Sequence, residues 1–390
     1  MPSVSAPSRG PAAVTNPLYG PNRLKFGIFG SNLGGGCSAT LAERTPDATW
    51  PATREIAVLA DQAGIEALVP VARWKGFGGR TNFNAQCFET YTWAAGLAAQ
   101  TERIAVFATS HVPTMHPIVA AKQATTIDHI SGGRFALNVV CGWFEPEFAM
   151  FGRPMLDHET RYEHAAEWLE IVRRLWTTEG EFDYTGRFFR VEKGFHEPKP
   201  VQRPGPPIMN AGRSGTGNRF AVKYADMVFT SFWETADAGR AAQVAGLRRM
   251  AREEFGREIQ VWTTGFVLCR PTEKEARADL HRVSDEQGDW EAVENLIRQQ
   301  RVEDRNAPAD VQRARRLRLM LGWGGYPLVG TPDQIADQLL GLSRDGVDGL
   351  VISWVNYREE LPQFVAEILP RLEQAGVRER STRRLAGRAG

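Results

Sequence analysis

The segment FALNVVCGWFEPE, residues 135–147, places polar, acidic and aromatic side chains directly after an apolar run. The run over residues 135–140 is typical of a strand that is buried on both faces of a parallel sheet. Asn138, Cys141, Gly142, Trp143 and Glu147 then lie in the second half of that strand and in the loop after it. In a (β/α)₈ barrel, chemistry takes place at this end of the strands. The segment therefore predicts a functional site at a strand end.

A second candidate site is the segment NAGRSGTG, residues 210–217, which joins a predicted strand to a predicted helix. The free N–H groups of a first helical turn and the Ser214 hydroxyl can hold a phosphate. An equally good interpretation is that Ser214 only caps the helix. Arg161 and Tyr162 open another helix and can add a charge and a phenol to the same phosphate, although such a pair is often a plain surface pair.

His111 stands at the end of a further predicted strand, where its near-neutral pKa suits a general acid or base or, alternatively, a structural role. Six large aromatic residues also fall at strand ends or in a long charged segment, and they are candidates for an apolar substrate pocket or for the ordinary core. These residues are Trp74, Phe77, Trp143, Trp233, Trp323 and Trp354.

Several common chemistries are excluded by their missing motifs. The sequence has no H-E-x-x-H, no G-x-x-x-x-G-K-[ST] and no G-x-S-x-G. The glycines at residues 76–79 miss the dinucleotide pattern, because Thr81 stands where its last glycine belongs. The four cysteines form no C-x-x-C pair, which argues against a zinc site or a disulfide framework and favours a reducing, cytoplasmic setting. No metal is expected.

Eight strand-like segments alternate with helical ones, which predicts an α/β fold, a (β/α)₈ TIM barrel with insertions. The predicted strands begin near residues 25, 66, 104, 135, 208, 227, 259 and 349. Thr331, Pro332 and Gln334 predict a helix start with a capping box. A flexible arm is expected over residues 1–23, one barrel over 24–376 and a basic tail over 377–390. Insertions are expected at about 178–207, as a hairpin, and at about 284–325, as a mobile lid.

Composition narrows the class of partner. Lys plus Arg is 47 against 46 for Asp plus Glu, so the net charge of +1 gives no sign of nucleic-acid or membrane binding. The first residues contain no continuous apolar segment that would make a signal peptide or an anchor. A small molecule or another protein is the expected partner.

Seven motifs in one order resemble the bacterial-luciferase-like flavin monooxygenases, and among these the pyrimidine oxygenases, dimethyl sulfone monooxygenases and alkanesulfonate monooxygenases. The similarity covers about residues 25–375. The motifs are GFGG from Gly76, ATTID from Ala124, SGGR from Ser131, NVVCGW from Asn138, RY at Arg161, AGRS from Ala211 and VGTP from Val329.

The resemblance implies a luciferase-like barrel that binds FMN through Ala72, Arg73, Asn138, Glu147, Arg161, Tyr162, Gly212 and Ser214. It also implies that Thr109 and Asn138 handle oxygen, whereas packing is the alternative role for Thr109. His111 departs from the pyrimidine-oxygenase pattern, which has a small residue there, so that substrate is not carried over.

The implied activity is that of a two-component monooxygenase. A separate reductase supplies reduced FMN, either in a complex or by diffusion alone, and a flavin peroxide oxygenates a small sulfone, cyclic amide or ketone. A homodimer or homotetramer is expected. The alternatives are an oxidoreductase that uses deazaflavin F420, which related barrels bind, and a flavin-binding barrel without turnover.

Overall fold

The structure is a computed structural model and describes residues 16–43, 46–233, 237–300 and 307–380. Its strands are β1 (Lys25–Phe29), β2 (Ala67–Val69), β3 (Ala105–His111), β4 (Phe135–Val140), β5 (Phe182–Thr185), β6 (Arg190–Gly194), β7 (Ile208–Asn210), β8 (Met227–Thr230), β9 (Gln260–Cys269), β10 (Tyr326–Gly330) and β11 (Gly349–Ser353). Eight parallel strands close into a barrel in the order β1-β2-β3-β4-β7-β8-β9-β11, and β11 pairs back with β1. The predicted barrel is confirmed, and its eight strands are the eight predicted from the sequence.

Alternation along each strand decides which side chains enter the barrel. In β3, Ala105 and Phe107 join the interior cluster, whereas Val106 and Ala108 pack outward against the helices. Because successive side chains point to opposite faces, Thr109 and His111 continue the inward series. The same alternation in β4, where Ala136 faces inward, carries Asn138 to the interior.

The helices surround the barrel and occupy its loops. They are α1 (Trp50–Gln62), α2 (Thr90–Ala98), α3 (Pro117–Ser131), α4 (Glu145–Met150), α5 (His158–Thr177), α6 (Gly215–Tyr224), α7 (Asp237–Phe255), α8 (Glu273–His281), α9 (Trp290–Gln300), α10 (Ala309–Gly322), α11 (Pro332–Arg344), α12 (Tyr357–Gln363) and α13 (Leu369–Gln374). Short 3₁₀ helices cover Pro17–Tyr19 and Val112–Thr114, and π-helical turns cover Arg282–Glu286 and Phe364–Ile368. The predicted capping box of α11 is present at Thr331 and Gln334. No helix in these ranges is both long enough and apolar enough to cross a membrane.

The edge of β9 is shared between two strands, which the sequence did not predict. Its first residues pair with β8, and Gly265 to Cys269 pair with the parallel strand β10. β9 has ten residues and β8 has only four, so β9 extends beyond the end of β8 at Thr230. Beyond that point β10 pairs with the same edge of β9.

Both predicted insertions have secondary structure. β5 and β6 form an antiparallel hairpin within residues 178–207. In the 284–325 segment, Leu296 of α9 and Leu319 of α10 belong to a second apolar cluster together with Phe77 and Phe83. Residues 301–306 lie outside the described ranges.

The predicted terminal segments differ from the structure where they are described. Leu18 is buried inside the barrel with Trp262 and Val351, so residues 16–23 are not a flexible arm. At the other end, the Arg378 guanidinium pairs with Glu66 at 3.0 Å and both side chains are buried, so the basic tail does not begin at residue 377. The packing of Leu18 inside the barrel fixes the first of these segments, and the buried ion pair of Arg378 with Glu66 fixes the second. Residues 1–15 and 381–390 lie outside the described ranges.

Candidate active site

A cavity of about 440 Å³, here called the strand-tip cavity, opens at the carboxyl ends of the barrel strands. Such a volume is ordinary for a small-molecule or cofactor site. Its wall brings together most of the residues predicted to form the site, namely Ala72, Arg73, Thr109, His111, Asn138, Trp143, Arg161, Tyr162, Gly212, Ser214 and Trp323.

Thr109 and Asn138 are direct neighbours across β3 and β4 and share a hydrogen bond. Asn138 Nδ2 donates to Thr109 Oγ1 at 3.1 Å, and that hydroxyl donates onward to the carbonyl of Pro70 at 2.7 Å. Asn138 Oδ1 is buried and has no partner among the described residues. The pair therefore offers an unused amide acceptor, whereas the Thr109 proton is already engaged.

Glu147 lies behind the cavity wall and holds several groups at once. Its Oε2 accepts from Arg73 Nη1 at 3.0 Å and lies 3.4 Å from His111 Nδ1. Its Oε1 accepts from the backbone N–H groups of Trp74 at 2.7 Å and Lys75 at 3.3 Å. Glu147, predicted to contact the cofactor, holds residues that line the cavity and is not itself part of the lining. It lies on α4, one turn beyond the strand-end loop.

His111 is buried between a carboxylate and a guanidinium. Its Nε2 lies 3.5 Å from Arg73 Nη2 while its Nδ1 faces Glu147. Burial lowers the pKa of His111 to about 3, and the positive charge of Arg73 acts in the same direction. These effects outweigh the opposite pull expected from Glu147. His111 is therefore a neutral imidazole near pH 7, and the Nδ1 contact favours the tautomer with its proton on Nδ1.

Arg73 is enclosed by rings as well as by its polar partners. The carbon of its guanidinium lies 5.0 Å from the Trp143 ring, 5.6 Å from both Phe77 and Trp323, and 5.7 Å from Phe144. Rings at this distance attract a cation through their quadrupoles. The cage fixes a buried positive charge at the cavity wall.

A second cationic corner is formed where α5 and α6 begin. Ser214 Oγ accepts from Gly217 N at 2.9 Å, so it caps α6, and it also lies 3.1 Å from His158 Nε2. Arg161 Nη1 donates to the carbonyl of Gly142, and Arg161 Nε is buried with no partner among the described residues. Ser214 therefore caps α6 and also lines the cavity, so its capping role does not exclude a role in phosphate binding.

Two glycines allow the close packing of this corner. A Cβ on Gly212 would lie 2.5 Å from the Gly217 carbonyl oxygen, and one on Gly217 would lie 2.6 Å from the Tyr162 hydroxyl. Neither the Gly217 carbonyl oxygen nor the Tyr162 hydroxyl could move away without shifting the backbone or the phenol ring. The loop can therefore approach α6 and Tyr162 only with glycine at both positions.

The aromatic residues predicted for the substrate pocket divide into different environments. Trp143 and Trp323 line the strand-tip cavity. Phe77 is buried behind them, with its ring stacked 5.9 Å from that of Trp143. Trp233 lines an adjoining cavity of about 630 Å³, called here the side cavity, which shares Ser214 with the first.

Two residues predicted for the substrate pocket lie outside both the strand-tip cavity and the side cavity. Trp354 is 1% exposed and packs its ring against Tyr357 and Phe364 in the outer core, away from the cavity. Its place follows from alternation, since Leu350 and Ile352 also face the helices while Val351 faces inward. Trp74 lies on the surface, 45% exposed, with its ring 5.2 Å from Phe151.

Some cavity residues were missed by the sequence analysis. His158, Arg213, Ser231 and Thr264 all line the cavity. His158 carried a usable signal, because it stands three and four residues before Arg161 and Tyr162 and so shares their helix face. Thr264 could have been found by alternation in β9, where Trp262 faces inward.

The unpartnered polar atoms of the wall fit FMN. Donors without a partner among the described residues are Arg73 Nε, Arg161 Nε and Trp323 Nε1, and available oxygens are Asn138 Oδ1, Thr264 Oγ1 and Gln300 Oε1. A flavin offers ring carbonyls, a ring N–H and a phosphate, so each kind of atom has a possible counterpart. The same ranges contain no group of three or more His, Cys, Asp or Glu side chains placed to hold a metal.

Known proteins are similar to this chain over nearly its whole length. The family model described as "Luciferase-like monooxygenase" matches residues 25–349. The "FMNH(2)-dependent dimethylsulfone monooxygenase" of Pseudomonas putida is 31% identical over 352 residues, which are 89% of this chain and 94% of that protein. "Pyrimidine monooxygenase RutA" of Acinetobacter baylyi is 30% identical over 362 residues, with coverage of 89% and 94%. The structure of EDTA monooxygenase from Chelativorans sp. BNC1 shares the fold, with a TM-score of 0.78 and 22% identity over 91% of this chain and 94% of that one.

Proposed function

This chain belongs to the luciferase-like monooxygenase family, and we propose that it is a two-component, FMNH2-dependent monooxygenase that inserts oxygen from O2 into a small organic substrate. The observation that carries the proposal is a single strand-tip cavity that joins the Arg161 and Ser214 corner to the Thr109 and Asn138 pair. One end suits a phosphate, and the other offers polar groups at the barrel centre.

The residues of the cationic corner hold the cofactor. Arg161, Tyr162 and the start of α6 bind the phosphate, because charge-assisted hydrogen bonds and a helix N-terminus both favour a dianion. Asn138 and Arg73 bind the polar edge of the ring through their unpartnered atoms. Reduced FMN, supplied by a separate flavin reductase, provides the two electrons that activate O2.

The remaining cavity residues control the reaction environment. Trp143, Trp323 and the buried Phe77 behind them exclude water, which strengthens every charge interaction inside. The Asn138 amide donates one N–H to Thr109, and its second N–H stabilises negative charge that develops on oxygen. His111 is neutral, so it accepts a hydrogen bond and does not serve as the acid that protonates the leaving oxygen.

The substrate is a small sulfone, cyclic amide or ketone, and the activities named for the relatives support the first two classes. The side cavity is the proposed route to the reacting centre, and the segment over residues 284–325 is the proposed lid, since α9 and α10 supply its Ile297 and Leu319. The F420-dependent and non-catalytic alternatives are not favoured, because the curated relatives are FMNH2-dependent monooxygenases.

We place the protein in the cytoplasm as a homodimer or homotetramer. Its four cysteines, all in the described ranges, are unpaired, as in a reducing compartment. Light scattering coupled to gel filtration measures the assembly.

The decisive test is labelled oxygen. The protein, reduced FMN and a panel of sulfones, cyclic amides and ketones are mixed with ¹⁸O₂, and products are weighed by mass spectrometry. One ¹⁸O atom in a substrate-derived product is expected. Binding of reduced FMN without ¹⁸O in any product would reject the oxygenase, and activity only with reduced F420 would replace the cofactor.

A further inference from the structure

We infer that Arg73 is the residue through which this protein prefers reduced over oxidised FMN, and that Glu147 is the positioning residue that orients its guanidinium. The inference rests on the proposed function and adds to it a residue that determines redox specificity. It concerns the affinities of the two flavin forms, not the oxygenation step.

The two partners occupy different places relative to the cavity. Arg73 lines the strand-tip cavity, whereas Glu147 does not and holds Nη1 from behind at 3.0 Å. The positive partner of this ion pair thus lies at the cavity wall and the negative partner lies behind it. Although the pair carries no net charge, a flavin bound in the cavity would lie nearer the cation.

The guanidinium is also held in place, and one of its nitrogens has no partner within the described ranges. Four rings enclose it, Glu147 takes Nη1, and His111 Nε2 lies 3.5 Å from Nη2. The Nε donor is buried with no partner among the described residues. An unsatisfied buried N–H is costly, so a ligand acceptor that pairs with it gains affinity.

The charge of the ligand selects between its redox forms. Reduced FMN with N1 ionised carries one more negative charge on its ring than oxidised FMN, and the phosphate is the same in both. A buried cation attracts the reduced ring more strongly, because the low polarity of the cavity weakens screening. His111 is neutral and does not compete for this charge.

The test measures dissociation constants of oxidised and reduced FMN by anaerobic fluorescence titration at pH 8. Arg73→Gln should lower the ratio of oxidised to reduced constants by about tenfold, which corresponds to about 30 mV in the potential of bound FMN. Arg73→Lys keeps the charge and should retain most of the ratio. Glu147→Gln removes the compensating charge and should raise the ratio by about threefold.

Two further variants guard against loss of folding. Arg73→Gln combined with Glu147→Gln leaves a neutral pair and should show a ratio about threefold above that of Arg73→Gln, because the carboxylate that repels the reduced ring is gone. Arg378→Gln breaks a matched buried Arg–Glu pair, also 3.0 Å long, at the other end of the barrel and should leave the ratio unchanged.

The outcomes separate the two ideas. If the wild type binds neither flavin form, the proposed function fails. If it prefers reduced FMN but Arg73→Gln weakens both forms equally, only the role of Arg73 is overturned. If Glu147→Gln also lowers the affinities for oxidised and reduced FMN by the same factor, Glu147 is a structural residue and its orienting role is rejected.

Discussion

Replacing His111 with Asn should remove most of the acid sensitivity that this side chain gives the fold. Burial, aided by Arg73, lowers the pKa of His111 to about 3, whereas an unfolded histidine titrates near about 6.5. Between these pKa values the unfolded chain binds a proton that the folded protein does not, so the free energy of unfolding falls as the pH falls. At about 1.4 kcal/mol for each pKa unit, the loss reaches about 2 kcal/mol at pH 5 and approaches about 5 kcal/mol near pH 3.

Urea unfolding of both proteins at pH 8 and pH 5, at one protein concentration, measures this difference. Asn is chosen because its amide N–H can still donate to Glu147. The variant should gain about 2 kcal/mol relative to the wild type between the two pH values. The control is Val112→Ala at the buried neighbour of His111, which removes packing but no titrating group. It should lower the free energy of unfolding by the same amount at pH 8 and at pH 5.

Only the difference between variant and wild type is informative, because burial also lowers the pKa of His196, to about 4, and that residue is present in both. Parallel pH dependence of the two proteins would refute the reasoning. His111 would then hold a second proton in the folded state, and its use as an acid in the reaction would return.

Three other substitutions test the assignments of the site. Arg161→Ala should weaken FMN by about ten- to a hundredfold, or roughly 1.5 to 3 kcal/mol, but barely change riboflavin affinity in fluorescence titrations, and equal weakening would remove it from the phosphate. Asn138→Ala and Thr109→Ala should divert oxygen to hydrogen peroxide, measured by a peroxide assay, with much smaller changes in reduced FMN affinity; normal coupling in both would reject the oxygen role. Trp354→Ala should cost about 3 to 5 kcal/mol in stability by denaturant unfolding while the folded variant still binds FMN normally, and lost affinity would return Trp354 to the cavity.

The sequence predicted the barrel well because its strands are buried on both faces and therefore read as unbroken apolar runs. β10 was missed because Tyr326, Pro327 and Val329 are only partly buried, and its short run follows glycines that indicate a loop. The position of a residue at a strand end was not enough to assign it to the pocket. Alternation would have corrected Trp354, since it has the parity of the outward-facing Ile352.

Other features of the site depend on contacts that no local pattern contains. Arg73, His111 and Glu147 come from three separate segments of the sequence. Only the folded structure reveals that the Glu147 carboxylate contacts both Arg73 and His111. The resemblance predicted Glu147 as a cofactor contact, but the structure places it behind the wall. Its effect on the flavin therefore stays a prediction that the Glu147 variants test.

The two described ends of the chain contact each other at the amino ends of the barrel strands, opposite the strand-tip cavity. The N–H groups of Arg23 and Leu24 donate to the Val377 carbonyl, and Glu379 N donates to Asn22 Oδ1. Leu18 plugs the same end, where its carbonyl accepts from Gln260 at the start of β9. An affinity tag, surface linker or fused reductase joined at residue 16 or 380 therefore begins opposite the cavity. Enzyme immobilised through either end would keep the cavity entrance free.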